Sequence, residues 1–354
     1  MKILLIGPLP NPVTGCSLAN QVLFKGLSKK GVKVSSINMS TNFSEDIGTF
    51  AFDKMFGAIS KYSRIYKVLL NDVIYMTPGQ SFLGVLKYAP FIFLAKLFSK
   101  KVVVHMHGNY LRKEFELSGN FKKQVLRSIL SQANKGIVLS PLLQKNLSYF
   151  LDAKNIFSVF NFAEDYLHNS NKFKPFDTLN IIYLSNLMTE KGIFDVLHAL
   201  QNLQKNQIPF KAKIAGAIDR TIRGEIEILL NSLDGNVEYL GIVGGDQKKN
   251  MLEWGNVFVF PTYYQQEGQP ISIIEAMTTA NVVITTRHAG IPDLIDNKNA
   301  FFVEKHNSDQ VSKALSTFYS NNGEFVNKSN FNKKYSKTFT EDNYVKNILE
   351  VINA

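Results

Sequence analysis

The 354-residue chain holds a single cysteine, no low-complexity tract and no long uninterrupted apolar run. Cys16 alone cannot close an intramolecular disulfide, and secreted chains more often carry several, so a reducing cytosol is the expected compartment. The opening MKILLIGPLP stops being apolar at Gly7-Pro8, short of a signal-peptide core, and reads as a first β-strand. FLGVLKYAPFIFLAKLFSKK, from Phe82, is the longest apolar segment, but Lys87, Pro90 and Lys96 interrupt it. A spanning helix needs roughly 20 apolar residues, so none is expected. The first strand-to-helix loop, GPLPNPVTGCSLANQ, lacks Gly-x-Gly-x-x-Gly, which leaves dinucleotide binding unsupported.

What is present is the composition of a folded protein, 45% hydrophobic and 19% charged. The length exceeds that of one growing core, so two domains are expected. The net charge of +11 is lopsided: residues 1–165 carry 21 Lys and Arg against 9 Asp and Glu, whereas 166–354 carry 19 against 20. A basic half points to an anionic partner such as nucleic acid, anionic lipid or a phosphorylated acceptor. A basic surface kept for solubility is the plainer alternative.

Short β-branched runs alternate with longer helical segments, the pattern of α/β domains with parallel sheets. KILLIG, VKVSSI, DVIYMT, KVVVHM and KGIVLS read as strands of the first half, and LNIIYLS, FKAKIAG, NVEYLG, NVFVFP and NVVITT as strands of the second. The polar stretch from Glu164 to Thr178 reads as a linker. The expected architecture is two doubly wound, Rossmann-like domains facing a cleft, with ligands at the carboxyl ends of the strands. The expected boundaries are 1–165 and 166–337, with a closing helix over 338–354 that crosses back to the first domain. Its apolar Tyr344, Ile348, Val351 and Ile352 recur at helical spacing.

The most informative stretch is QQEGQPISIIEAM, Gln265 to Met277. Pro270 suits a helix start, Ile271, Ile274 and Met277 mark an apolar face, and Asn281 is an acceptable C-terminal cap. Glu267 then lies on a loop and Glu275 in the second helical turn. Eight helical residues span about 12 Å, too far for a shared-proton dyad. No Asp-x-Asp or His-rich cluster accompanies the pair, so a divalent metal site lacks ligands. Two separate hydrogen-bonding posts remain.

EGQPISIIEA resembles the Glu-x7-Glu motif of retaining glycosyltransferases of family 4, which have the two-domain glycosyltransferase-B fold. NVFVFPTYYQQEG, AGIP (Ala289 to Pro292), SNLMTEKG (Ser185 to Gly192), YLGIV and VVVHMHG resemble the same family in the same order. The resemblance implies that Glu275 accepts hydrogen bonds from the nucleotide ribose. It likewise implies that Glu267 faces the donor sugar, with the amides of Gly268, Gln269, Pro270's neighbour Ile271 and the Pro270 turn between them presented to sugar and phosphate. Lys191 would neutralise the leaving diphosphate, helped in the family by an arginine where this chain has Asn186. Gly15 stands where the family lets backbone approach the donor phosphates, and His107 where a histidine reaches the sugar. Cys16 is given no nucleophilic role, and His105 is taken as packed or supporting.

These implications describe a metal-independent, retaining hexosyl- or N-acetylhexosaminyl-transferase without a cofactor, using a nucleotide-diphosphate sugar, UDP-linked, as donor. The acceptor implied is a glycan or polyprenyl-diphosphate-linked glycan of cell-surface polysaccharide, with the enzyme cytoplasmic and peripheral on the inner face of the cytoplasmic membrane. No nucleic-acid partner is expected. Arg112, Lys113, Lys122, Lys123 and Arg127 would form either a face toward anionic lipid or a solvated helix face. The segment 82–98 would be either interfacial or a buried crossover helix. Alternatives kept open are a soluble acceptor, a non-catalytic basic binding module on the same scaffold, and a nucleotide-sugar epimerase.

Overall fold

The computed structural model describes residues 1–40, 61–169 and 174–354. The chain forms two compact units, one of Met1–Asn161, Gln266–Gln269 and Glu341–Ala354, the other of Phe162–Gln265 and Pro270–Thr340. The stretch 164–178, read as a linker, contains a helical turn, Asp165–His168, and the buried Lys174, while its residues 170–173 lie outside the described residues. Lys174 Nζ donates to the carbonyl oxygen of Leu252 at 2.6 Å and also to that of Gly255, closing the end of the helix Gly245–Trp254.

In the first unit the strands are β1 (Lys2–Gly7), β2 (Lys33–Asn38), β3 (Val73–Met76), β4 (Lys101–Met106), β5 (Lys135–Val138) and β6 (Ile156–Ser158). They pair in parallel in the order β2-β1-β3-β4-β5-β6. Ile3 to Ile6 are fully buried, as a parallel strand covered on both faces requires. The crossover from β1 to β2 runs opposite in direction to those from β3 to β4 to β5. Because such crossovers are right-handed, the helix Gly15–Lys29 covers one face and the helices of residues 82–130 the other. The closing helix Glu341–Asn353 packs on Gly15–Lys29, as its apolar spacing predicts. Lys101 and Lys135 donate to the carbonyl oxygens of Ile352 and Val351, satisfying the end of that helix. Two of the cations in the basic half therefore have structural work.

The segment 82–98 is buried on one side only, as a crossover helix between β3 and β4. Tyr88, Phe91, Ile92 and Ala95 are buried against the sheet, whereas Leu83, Phe93, Leu97 and Phe98 are exposed.

The second unit has β7 (Asn180–Leu184), β8 (Lys211–Ala215), β9 (Val237–Tyr239), β10 (Val257–Phe260), β11 (Val282–Thr285) and β12 (Ala300–Phe302). Their order is β12-β11-β10-β7-β8-β9, again all parallel. Strand order reverses between β1 and β3 in the first unit and between β7 and β10 in the second. Open parallel sheets bind ligands outside the carboxyl ends of the strands at such switch points. The loops that matter are thus 8–14 and 77–81 in the first unit, 185–192 in the second, and 261–270 after β10, of which Gln266–Gln269 belong to the first unit.

Candidate functional site

In the second unit, the loop after β7 carries Asn186 and Lys191 and ends at Gly192, which has φ 77 and precedes the helix Ile193–Lys205. A β-carbon at Gly192 would lie 2.5 Å from the Pro261 carbonyl oxygen, so the left-handed turn and the close approach both demand glycine. From inside the sheet, the Tyr183 hydroxyl donates to the carbonyl oxygens of Asn186 (3.2 Å) and Lys191 (3.3 Å). The Glu190 carbonyl oxygen accepts from Tyr263 N–H at 2.8 Å. The loop is thus tied to β7 through Tyr183 and to the segment after β10 through Tyr263. Asn186 is exposed, and the Lys191 ammonium lies 4.6 Å from the Tyr264 ring centroid. A cation held over an aromatic face at a switch point is well placed for an anion.

After β10 the chain runs through 261–270 and enters the helix Ile271–Thr278 with Pro270 as its cap. That helix is buried nearly all round, and Glu275 is only 4% exposed. Its end differs from expectation: Ala280, at φ 60, takes the left-handed position, while Asn281 is no cap. Asn281 is buried, with its amide donating to the carbonyl oxygens of Leu252 and Ala276 and accepting from Lys174. Glu275 pairs with a lysine: Lys248 Nζ lies 2.6 Å from Glu275 Oε1 and 2.5 Å from Glu164 Oε2. Burial pushes the Lys248 ammonium down, but the two carboxylates outweigh it and hold it above the usual lysine range. Glu164 and Lys248 went unnoticed in the sequence, where a lysine on a polar helix and an acid in a polar stretch carry no signal.

The first unit gathers the other residues singled out. Gly15 is the exposed first residue of the helix Gly15–Lys29, behind a capping box of Thr14 and Ser17. Burial pushes the neighbouring Cys16 thiol up to about 12, which keeps it protonated and un-nucleophilic. The His105 and His107 rings lie against each other, tilted by 35° with centroids 4.1 Å apart, and the Tyr75 hydroxyl sits 2.5 Å from His105 Nδ1. His107 is partly exposed as a residue, yet its Nε2 is buried and has no hydrogen-bond partner among the described residues. Burial pushes its pKa down to about 4, so at neutral pH it is an uncharged imidazole.

Beside it lies the segment Gln266–Gln269. A β-carbon at Gly268 would meet the His107 carbonyl oxygen at 2.4 Å, so glycine is what allows this approach. Glu267 is thereby held next to the His107-Gly108 turn. The Gln269 side chain is otherwise occupied: its Oε1 accepts from Asn161 N–H at 2.7 Å and its Nε2 donates to the Leu139 carbonyl oxygen at 3.2 Å. Among the described residues no three His, Cys, Asp or Glu side chains form a metal-ligating group.

The family model of glycosyl transferases group 1 matches residues 168–338. The chain carries a group 1 glycosyltransferase domain. It contains Asn186, Lys191, Lys248 and both glutamates of the Glu-x7-Glu stretch. The chain is 28% identical over 151 residues to WcaL of Escherichia coli K12, named for colanic acid biosynthesis, a match covering 41% of this chain and 37% of that one. It is 29% identical over 247 residues to the poly(ribitol-phosphate) α-N-acetylglucosaminyltransferase of Staphylococcus aureus, covering 66% of this chain and 47% of that one. The chain thus spans less than half the length of these curated relatives. Among solved structures, Anabaena HepE in complex with UDP and glucose superposes with TM-score 0.74 at 15% identity, covering 100% of this chain and 99% of that one. A glycosyltransferase from Rickettsia africae gives TM-score 0.77 at 16% identity, covering 99% and 97%. The group 1 domain and its partner unit have the glycosyltransferase-B fold.

Proposed function

We propose that this protein is a retaining, metal-independent glycosyltransferase that moves a sugar from a UDP-linked donor to a hydroxyl of a glycan or polyprenyl-diphosphate-linked glycan. The observation that carries the reading is Glu275, a buried carboxylate in a group 1 domain, on the helix Ile271–Thr278 that follows β10 at the β7/β10 switch point. Glu275 accepts from the ribose hydroxyls. Lys191 neutralises the diphosphate, and the amides of Gly268 and Ile271 at the helix entry add to it. His107 and Glu267 bond the sugar, with Gly15 at the phosphate side. Asn186 donates hydrogen bonds where the family has an arginine.

In the transfer, the acceptor oxygen forms a bond to the anomeric carbon on the face from which the diphosphate departs. The anomeric carbon–oxygen bond to phosphate breaks, and a departing phosphate oxygen takes the acceptor proton. Lys191 stabilises the charge that develops there. The neutral His107 acts by hydrogen bonding, since its low pKa disfavours proton gain at pH 7.

A membrane-borne acceptor is favoured by the outer face of the helix Ala89–Leu97. Pro90, Phe93 and Leu97 form an exposed apolar stripe with Lys96 beside it, although the inner face is apolar as well. A helix apolar on both faces and fringed by lysine suits an anionic bilayer surface. The named activities of relatives, in colanic acid biosynthesis and on poly(ribitol-phosphate), also favour a surface-glycan acceptor. No helix among the described residues is long and apolar enough to cross a membrane.

The test is incubation with labelled UDP-, GDP- and ADP-sugars, in EDTA, with lipid-linked glycan acceptors. Labelled glycan from a UDP-sugar supports the reading. Epimerised donor without transfer, or transfer only after metal addition, contradicts it.

A further inference from the structure

Lys248 has no part in the transfer just described, yet it holds the residue on which donor recognition rests. It is the fourth residue of the helix Gly245–Trp254. One ammonium there bridges two carboxylates from distant parts of the chain, Glu164 and Glu275. All three side chains are largely buried, at 12%, 23% and 5% exposure, so water competes weakly for the bonds. Tyr166 closes the cluster, with its hydroxyl 3.4 Å from Glu164 Oε2 and its ring centroid 5.7 Å from the Lys248 ammonium.

A buried ion pair is by itself weak support for stability, because desolvation offsets the attraction. Two acids on one base leave a negative excess in a buried place, which a merely structural pair would avoid. Lys248 also engages only Oε1 of Glu275, and among the described residues the carboxylate has no other side-chain partner. A carboxylate pinned by one oxygen loses its freedom to rotate and presents the other in a fixed direction, and such preorganisation lowers the entropy cost of binding.

We propose that Lys248 is a positioning residue for nucleotide recognition: it pins Oε1 of Glu275 so that Oε2 meets the ribose hydroxyls, and Glu164 steadies the lysine. The proposal rests on the ribose role given above to Glu275.

The test compares calorimetric titrations of UDP and 2′,3′-dideoxyuridine 5′-diphosphate into wild type, Lys248→Met, Lys248→Gln and Lys248→Arg, each with its melting temperature. Wild type should prefer UDP by about tenfold or more, the worth of hydrogen bonds to an ionised carboxylate. Lys248→Met should bind UDP about tenfold more weakly and the dideoxy nucleotide unchanged, so that the preference nearly vanishes. Lys248→Arg, which keeps charge and donors, should restore most of it. A general loss of folding would weaken both nucleotides alike, whereas the proposal predicts loss of the preference. If Lys248→Met does not fold, Lys248→Gln carries the test, with a reduced preference expected. A wild-type preference that survives in the uncharged variants overturns the positioning role. A wild type that does not discriminate overturns the ribose role of Glu275 as well, so the two failures are distinguishable.

Discussion

Lys191 and His107, the residues proposed to meet the donor, are held in two different ways. Lys191 sits on a loop pinned by the Tyr183 hydroxyl, with its ammonium over the Tyr264 ring. Its substitution by alanine should lower kcat about 10²- to 10³-fold, as for loss of one preorganised transition-state contact, and change donor KM much less. Steady-state kinetics on the labelled donor measures this. His107 is prepared by burial, which holds it neutral down to about pH 4. The unfolded chain protonates its histidines near pH 6.5. Between those values the unfolded state binds more protons, so stability falls as pH drops from about 6.5 to about 4. His105, also pushed down by burial and by His107, acts in the same sense. Urea denaturation at pH 7 and pH 5 should show the loss, and His107→Gln should lessen its steepness.

At the scale of elements, the loops do more than connect. Gly192→Ala would force an L-residue into φ 77 and a β-carbon against the Pro261 carbonyl oxygen. It should destabilise the protein by about 1–3 kcal/mol in urea denaturation and lower kcat by displacing Lys191. The central strands were legible in the sequence because both faces are buried, which leaves continuous runs such as Ile3 to Ile6 and Val257 to Phe260. The edge strands β6 and β12 were not, since three residues give little periodicity to read, although the equally short β9 was read from NVEYLG. Glu275 was legible through the helix that carries it. Its partner Lys248 was not, because a contact across 27 positions leaves no trace in spacing. Gln269 stood out for its neighbours, while its buried bonds to Asn161 and Leu139 follow only from tertiary packing.

The whole molecule is basic in its first half, where charge and exposed apolar surface coincide. Lys101 and Lys135 are accounted for by the end of the closing helix, whereas Phe93, Lys96 and Leu97 are exposed. Sedimentation with anionic vesicles should therefore exceed that with neutral ones and fall with salt. Phe93→Ser combined with Leu97→Ser should release the protein by about tenfold or more while leaving UDP binding intact. Equal sedimentation of the double variant would show that another surface docks. The central claim is narrower: the group 1 domain holds a nucleotide sugar through Glu275 without a metal. Titrating UDP into wild type and Glu275→Ala in the presence of EDTA tests it most directly. The account predicts tight binding by wild type and about tenfold or greater weakening in the variant; unchanged affinity in the variant, or wild-type binding that requires added metal, would contradict it.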